Sequence, residues 1–222
     1  MKHSLFYITV ATRPHKVLDA LQHKVQNQNE TLLVFGQKEN RAIGWESHQN
    51  FGLKLKYVSD FLKNPQLNTY DMVLFTDAYD VAYYGTQEEI MKRFVEFNRP
   101  IVFGCEKYCN PDPPLAKEYT IREVDFPYLN SGMFIGYVWA LRQCIGAYEY
   151  NDVDDDQRFW TRQYLDHPEW ISLDYENRLF LNTAGIDETE ILVKDGKIEY
   201  HEKNPLFVHV NGPDKTFIEF VL

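Results

Sequence analysis

The chain of 222 residues carries a formal net charge of −10 and no basic run, which excludes a protein that tracks nucleic-acid backbone, because phosphate contacts need clustered Lys and Arg. A nucleotide ligand held through a metal is not excluded. The length suits one sizeable core, expected as a single domain over residues 1–222, and no apolar run reaches the roughly 18 residues of a membrane span.

In chain order, residues 5–11 form a continuous apolar run and are expected to be a buried strand. The start "MKHSLFYITVAT" has a short apolar stretch, but it leads directly into a capped helix and lacks a convincing cleavage site. It therefore reads as a core strand rather than a secretory address, and a soluble intracellular protein is expected. Thr12 is placed to cap the next helix, with Pro14 in its first turn and Val17, Leu18, Leu21 and Val25 on its inner face. "TLLVFG" at 31–36 is a second strand, 39–51 a polar loop, and Leu55, Val58, Phe61 and Leu62 mark another helix.

The run "MVLFTDAYDV" then ends an oily strand in two aspartates, Asp77 and Asp80. A Thr-x-x-Glu capping box at Thr86 and Glu89 opens a helix with Ile90, Met91, Phe94 and Val95 inward. "IVFGCE" at 101–106 is a strand. Residues 107–129 carry four prolines and no clear period, so they read as a long loop of the kind that is often functional. "MFIGYV" is a strand, 139–148 a helix, and 154–167 a helix entered through acidic residues. "ILVKDGKIEYH" is a hairpin turning at Asp195-Gly196, and "PLFVHVNGPDK" a strand ending in a polar loop. Strands alternating with helices predict an α/β fold whose mostly parallel, mixed sheet is covered by helices on both faces.

Sheets of that kind bind ligands at the carboxyl ends of their strands, and four such ends carry polar groups. Asp77 and Asp80 can converge only if the chain turns between them; two oxygen ligands there suit Mg²⁺ or Mn²⁺, while turn chemistry explains them equally well. His209 can complete a metal site through a neutral imidazole, with Asn211, Gly212 and Lys215 close behind, or can sit in an ordinary surface loop. Asn130, Ser131 and Gly132 are small polar groups suited to sugar hydroxyls, or to a plain turn. Asp152, Asp154, Asp155 and Asp156 exceed what helix capping requires and are candidates for work on a cationic substrate, or as base or nucleophile. The three cysteines, Cys105, Cys109 and Cys144, are too few and too irregular for a disulfide framework. Cys105-x3-Cys109 lacks a second ligand pair for zinc, so they are expected to serve packing or a site wall.

"TDAYDV", "LNSGMFIG", "DVDDDQRFWT" and "HVNGPDK", in this order and with "ITVAT" and "NRLFLN", resemble the glycosyltransferase domain of the multifunctional procollagen lysyl hydroxylases over residues 4–222. The corresponding family motifs are "T/VDSYDV", "LNSGGFIG", "DDDQLFYT" and "HGNGPTK". The resemblance implies a GT-A fold in which Asp77, Asp80 and His209 hold Mn²⁺ against the diphosphate of a UDP-sugar. Tyr79 would contact the uridine, Thr9 and Thr12 would line the nucleotide pocket, Lys54 would lie near the donor, and Gly212 and Lys215 would grip the diphosphate. Asn130, Asp155, Asp156 and Gln157 would face sugar and acceptor, with Ser131 and Gly132 beside them. Val210 stands where the family has a glycine, Asn110 follows Cys109 where an aromatic residue is frequent, and Tyr57 stands for a tryptophan. The implied activity is retaining transfer of glucose from UDP-glucose to galactosyl-hydroxylysine of collagen-like chains. Alternatives are a UDP-galactose:hydroxylysine galactosyltransferase and a silent UDP- or collagen-binding module. A nucleotidyltransferase is disfavoured because "TVATRPHK" is not Gly-rich. Oligomeric state stays open, a homo-oligomer included.

Overall fold

The computed structural model describes residues 3–44, 50–120 and 123–222. Parts of the two predicted loops, residues 45–49 and 121–122, lie outside the described residues. Two sheets form the frame. The larger has the order β2-β1-β3-β6-β5-β7, built from β1 (Leu5–Val10), β2 (Leu32–Phe35), β3 (Met72–Thr76), β5 (Ile101–Glu106), β6 (Tyr128–Tyr137) and β7 (Ile171–Leu173). Its strands run parallel except β6, which is antiparallel to both β3 and β5. The smaller sheet joins β4 (Val81–Tyr83), β11 (Phe207–His209) and β8 (Phe180–Asn182) in the order β4-β11-β8, with β11 parallel to β8 and antiparallel to β4. The expected mostly parallel, mixed sheet flanked by helices is therefore what the chain forms.

The helices follow the apolar spacing. α1 (Lys16–Asn27) buries Val17, Leu18, Leu21 and Val25, as their period predicts. Its cap is His15, whose side chain accepts from Val17 N, rather than the expected Thr12, because the helix begins only after Pro14. α2 (Gly52–Leu62) buries Leu55, Val58 and Leu62. α3 (Gln87–Glu96) carries the Thr86–Glu89 capping box, but Val95 points outward at 55% exposure, one step around the helix from Phe94. α4 (Val138–Ile145), α5 (Asp156–Asp166) and the short α6 (Ile218–Val221) complete the set. The predicted hairpin is present as β9 (Ile191–Lys194) and β10 (Lys197–Tyr200), and its turn residues Asp195 and Gly196 both have positive φ. Among the described residues, no helix is long and apolar enough to cross a membrane.

Two differences from the sequence expectation shape the site. Part of the long loop is a 3-10 helix (Pro113–Glu118). The strand expected at Met133 begins five residues earlier, so Asn130, Ser131 and Gly132 lie inside β6 rather than before it. There the ladder to β5 jumps from Phe103↔Phe134 to Gly104↔Asn130. The resulting bulge throws Ser131 and Gly132 out of register with β5.

Candidate functional site

The sheet topology brings six strand ends to one edge. β3 and β5 end there in Asp77 and Glu106, and antiparallel β6 starts there with Asn130–Gly132. The smaller sheet contributes the carboxyl ends of β8 (Asn182) and β11 (His209) and the entry to β4 (Asp80). The chain turns between Asp77 and Asp80, as convergence requires. One ligand atom from each of Asp77, Asp80 and His209 lies within 4.8 Å of the others. His209 Nε2 is 3.3 Å from Asp80 Oδ2 and 3.8 Å from Asp77 Oδ2.

The imidazole is prepared for a cation by its neighbours. Asn182 Nδ2 donates to the carbonyl of Cys105 at 3.0 Å, which turns Asn182 Oδ1 toward His209 Nδ1 at 2.8 Å. Nδ1 therefore donates, which leaves Nε2 as the ring nitrogen that faces the aspartates and that a cation would take. Gly132 makes room for the ring: a β-carbon at that position would overlap His209 Cε1 and Nδ1. Its carbonyl also accepts from Asp77 N at 2.8 Å. Two carboxylates and one imidazole fit a hard divalent ion that keeps coordination positions for phosphate or water.

Charge around the triad is balanced by two lysines. Lys54, on the first turn of α2, lies 2.7 Å from Asp77 Oδ1 and 3.3 Å from Asp156 Oδ2. Burial works against its charge, but Asp156 and Asp77 more than offset this and raise its pKa. Lys215 lies 2.5 Å from Asp80 Oδ2. Burial opposes ionisation of Asp80, yet His209 and Lys215 hold its carboxyl well below the usual range.

The four acidic residues before and within α5 separate by role. Asp152 pairs with Arg41 and Tyr150, and Asp154 accepts from Tyr148 Oη at 2.8 Å. Asp155 caps α5, accepting from Arg158 N at 2.9 Å, which is the capping chemistry that the crowding of carboxylates had seemed to exceed. Asp156 alone turns into the site. It is buried, accepts from Ser131 Oγ at 2.9 Å and meets Lys54. Burial and the nearby Asp77 raise its pKa, opposed by Lys54 and Ser131.

Several residues expected at the ligand make internal bonds. Thr9 is fully buried and donates to the carbonyl of Thr76 at 2.6 Å, so it ties β1 to β3 rather than lining an open pocket. Tyr79 Oη accepts from Thr12 N at 2.7 Å and Arg13 N at 3.1 Å, which pins the end of β1 beside the two aspartates, while the buried Thr12 hydroxyl has no partner among the described residues. Ser131 and Gly132 hold Asp156 and His209. Gly212 has a φ of +91° in the turn after β11. Val210, standing where the family has a glycine, donates its N–H to the Asp80 carbonyl at 2.9 Å.

Glu106 and Asn182 were not singled out by sequence reasoning. Glu106 is 3% exposed. It accepts from Asn130 Nδ2 (3.0 Å), Gln157 Nε2 (3.2 Å) and Asn211 Nδ2 (3.0 Å), and burial pushes its pKa up to about 7 despite those bonds. Asn130 and Gln157, expected at the sugar, are thereby fixed around one carboxylate. Each of the two missed residues closes an apolar strand with a polar side chain, the same signal that marked Asp77.

A family model described as the PLOD GT domain matches residues 1–221. The chain is 33% identical over 232 residues to the multifunctional procollagen lysine hydroxylase and glycosyltransferase of Caenorhabditis elegans, covering 98% of this chain and 32% of that protein. It spans about a third of the length of the curated relatives it matches. Among solved structures, a glycosyltransferase involved in glycosylation of the major capsid of PBCV-1 aligns at a TM-score of 0.53 and 14% identity, over 98% of this chain and 97% of that one. The apo form of mouse xyloside xylosyltransferase 1 aligns at 0.52 and 11%, over 94% and 97%. These neighbours make the α/β architecture a GT-A fold.

Proposed function

The chain belongs to the PLOD GT domain family, and from that premise we propose that it transfers glucose from UDP-glucose to galactosyl-hydroxylysine of a collagen-like chain, using Mn²⁺. The observation that carries the reading is the convergence of Asp77, Asp80 and His209, with Asn182 fixing the imidazole so that Nε2 faces the carboxylates. A divalent ion bound there would act as a Lewis acid on the departing diphosphate. Tyr79 and Thr12 stand at the end of β1 where a uridine would lie, with the unpartnered Thr12 hydroxyl as a ready contact. Gly212 and Lys215 would meet the diphosphate. Asp156, held by Ser131 and Lys54, is the carboxylate best placed to stabilise positive charge developing at the sugar carbon. Asp155 would support it by fixing the start of α5. Retention of configuration follows the family analogy. A net charge of −10 suits a Lys-rich acceptor, and a collagen triple helix would hinder access, so unfolded chains are the expected acceptors.

The test is transfer from UDP-glucose to a galactosyl-hydroxylysine peptide with Mn²⁺. Asp77→Ala and His209→Ala are expected to lower kcat/KM by about 100-fold or more. Wild-type rates in either variant would remove the metal assignment, and absence of transfer from any UDP-sugar would remove the enzyme reading. Competition between UDP-glucose and UDP-galactose, with galactosylated and bare hydroxylysine peptides, decides the donor and acceptor.

A further inference from the structure

The two lysines that neutralise the metal-binding carboxylates do so on different atoms. Lys54 Nζ lies 2.7 Å from Asp77 Oδ1, while the Asp77 oxygen nearer to His209 Nε2 is Oδ2. On Asp80 the arrangement is reversed. Lys215 Nζ lies 2.5 Å from Oδ2, the same oxygen that is 3.3 Å from His209 Nε2. Lys54 thus holds its partner from the far side and leaves the inner oxygen open to a cation. Lys215 stands on an oxygen that a cation bound to His209 would take.

The surroundings of the two side chains differ in the same sense. Lys54 is 13% exposed, and it is held between Asp77, Asp156 and the Phe51 ring. Lys215 is 33% exposed and follows the turn at Gly212. Its further hydrogen bond goes to the Val210 carbonyl at 2.7 Å, within the same loop.

We propose that Lys215 is an exchangeable counter-cation. Its ammonium occupies Asp80 Oδ2 in the metal-free protein, yields that oxygen to an arriving divalent ion, and is then free to pair with a diphosphate. The proposal rests on the metal-site reading above. It adds an order and a sign. A resident ammonium weakens binding of the metal alone, because the ion must displace it. The same ammonium, once released, strengthens diphosphate binding. Metal and nucleotide diphosphate are therefore coupled through one side chain, and the coupling is reciprocal.

The first measurement is acylation of lysines in the wild-type chain, read by mass spectrometry. Mn²⁺ alone is expected to raise labelling of Lys215, and Mn²⁺ with UDP to suppress it, while Lys54 stays unchanged throughout. The second is calorimetry on Lys215→Met. This variant is expected to bind Mn²⁺ alone about tenfold more tightly and to bind UDP in saturating Mn²⁺ about tenfold more weakly. The Mn²⁺ gain should persist at 0.5 M salt, roughly where a remote charge is screened but a contact pair is not. Mn²⁺ binding by Lys215→Met that is unchanged or weaker, or Lys215 labelling indifferent to Mn²⁺, overturns this proposal alone. A wild-type chain that takes up no divalent cation overturns the metal reading and this proposal with it.

Discussion

Glu106 is a buried carboxylate at the strand-end edge, and its three amide partners come from β6, α5 and the turn after β11. Those bonds favour its charged form, but burial wins and lifts its pKa from 4.5 to about 7. The sign of the pH effect follows. Below pH 4.5 the group is protonated in both folded and unfolded chains and contributes nothing. Between pH 4.5 and 7 the unfolded chain releases a proton that the folded chain retains, so stability falls as pH rises, and it levels off above 7. The full window corresponds to about 3 kcal/mol. Urea unfolding of wild type and Glu106→Gln at pH 4.5, 5.5 and 7 should show the difference between them changing by roughly that amount. A difference that stays constant across the window would mean that Glu106 ionises in the folded protein as it does in water.

The bulge in β6 is the element that turns a sheet edge into a site. By pushing Ser131 and Gly132 out of the β5 ladder, it brings Ser131 Oγ to Asp156 and opens the slot for His209. Gly132→Ala tests it. The added methyl overlaps the imidazole, so the ring must leave its bond to Asn182 or the strands must part. The expected result is a loss of about 1–3 kcal/mol in stability from overpacking, and a fall of about 10–100-fold in Mn²⁺ affinity as the ligand is misaligned. Calorimetric Mn²⁺ affinity within twofold of wild type would show that the slot is not needed. The bulge also explains what was legible in the sequence. Long apolar runs such as "MVLFT" and the 3.6-period faces of α1 and α3 announce themselves, because burial imposes a period. "LNSG" carries no period, so it read as a turn before a strand. The three-residue strands β4, β7 and β8 are too short to show alternation, and Asn182 went unread with β8. Asp77, Asp80 and His209 were visible because each stands at the end of an oily strand, and it is the ordered motifs around them, not the strand ends alone, that favour a metal site over turn chemistry. The contacts of Lys54 with Asp77 and Asp156, and of Glu106 with Asn130 and Asn211, span 23 to 105 residues in sequence, which no local pattern encodes.

The proposed ligands belong to two different sheets. Asp77 leaves β3 of the six-stranded sheet, whereas Asp80 leads into β4 and His209 ends β11 of the three-stranded one. A cation shared by all three would cross-link the two sheets at the edge where the chain is otherwise held by ion pairs and amide bonds. Because the unfolded chain does not present the three groups together, binding adds directly to folding stability. At about 100 times its Kd the ion contributes about 2.7 kcal/mol, which for a chain of this size is a rise of about 5–10 °C in Tm. Asp77→Ala should fold, since the backbone bond from residue 77 to Gly132 is kept and Lys54 retains Asp156 as a partner, and it should lose that rise. Hydrogen exchange locates the effect: Mn²⁺ should slow exchange of the β11 and β4 amides relative to those of β2, on the far edge of the larger sheet, in wild type but not in Asp77→Ala. An equal Tm rise in both proteins would place the bound ion somewhere other than this triad. A rise confined to wild type but spread evenly over all strands would mean that the metal stabilises the fold as a whole without joining the two sheets.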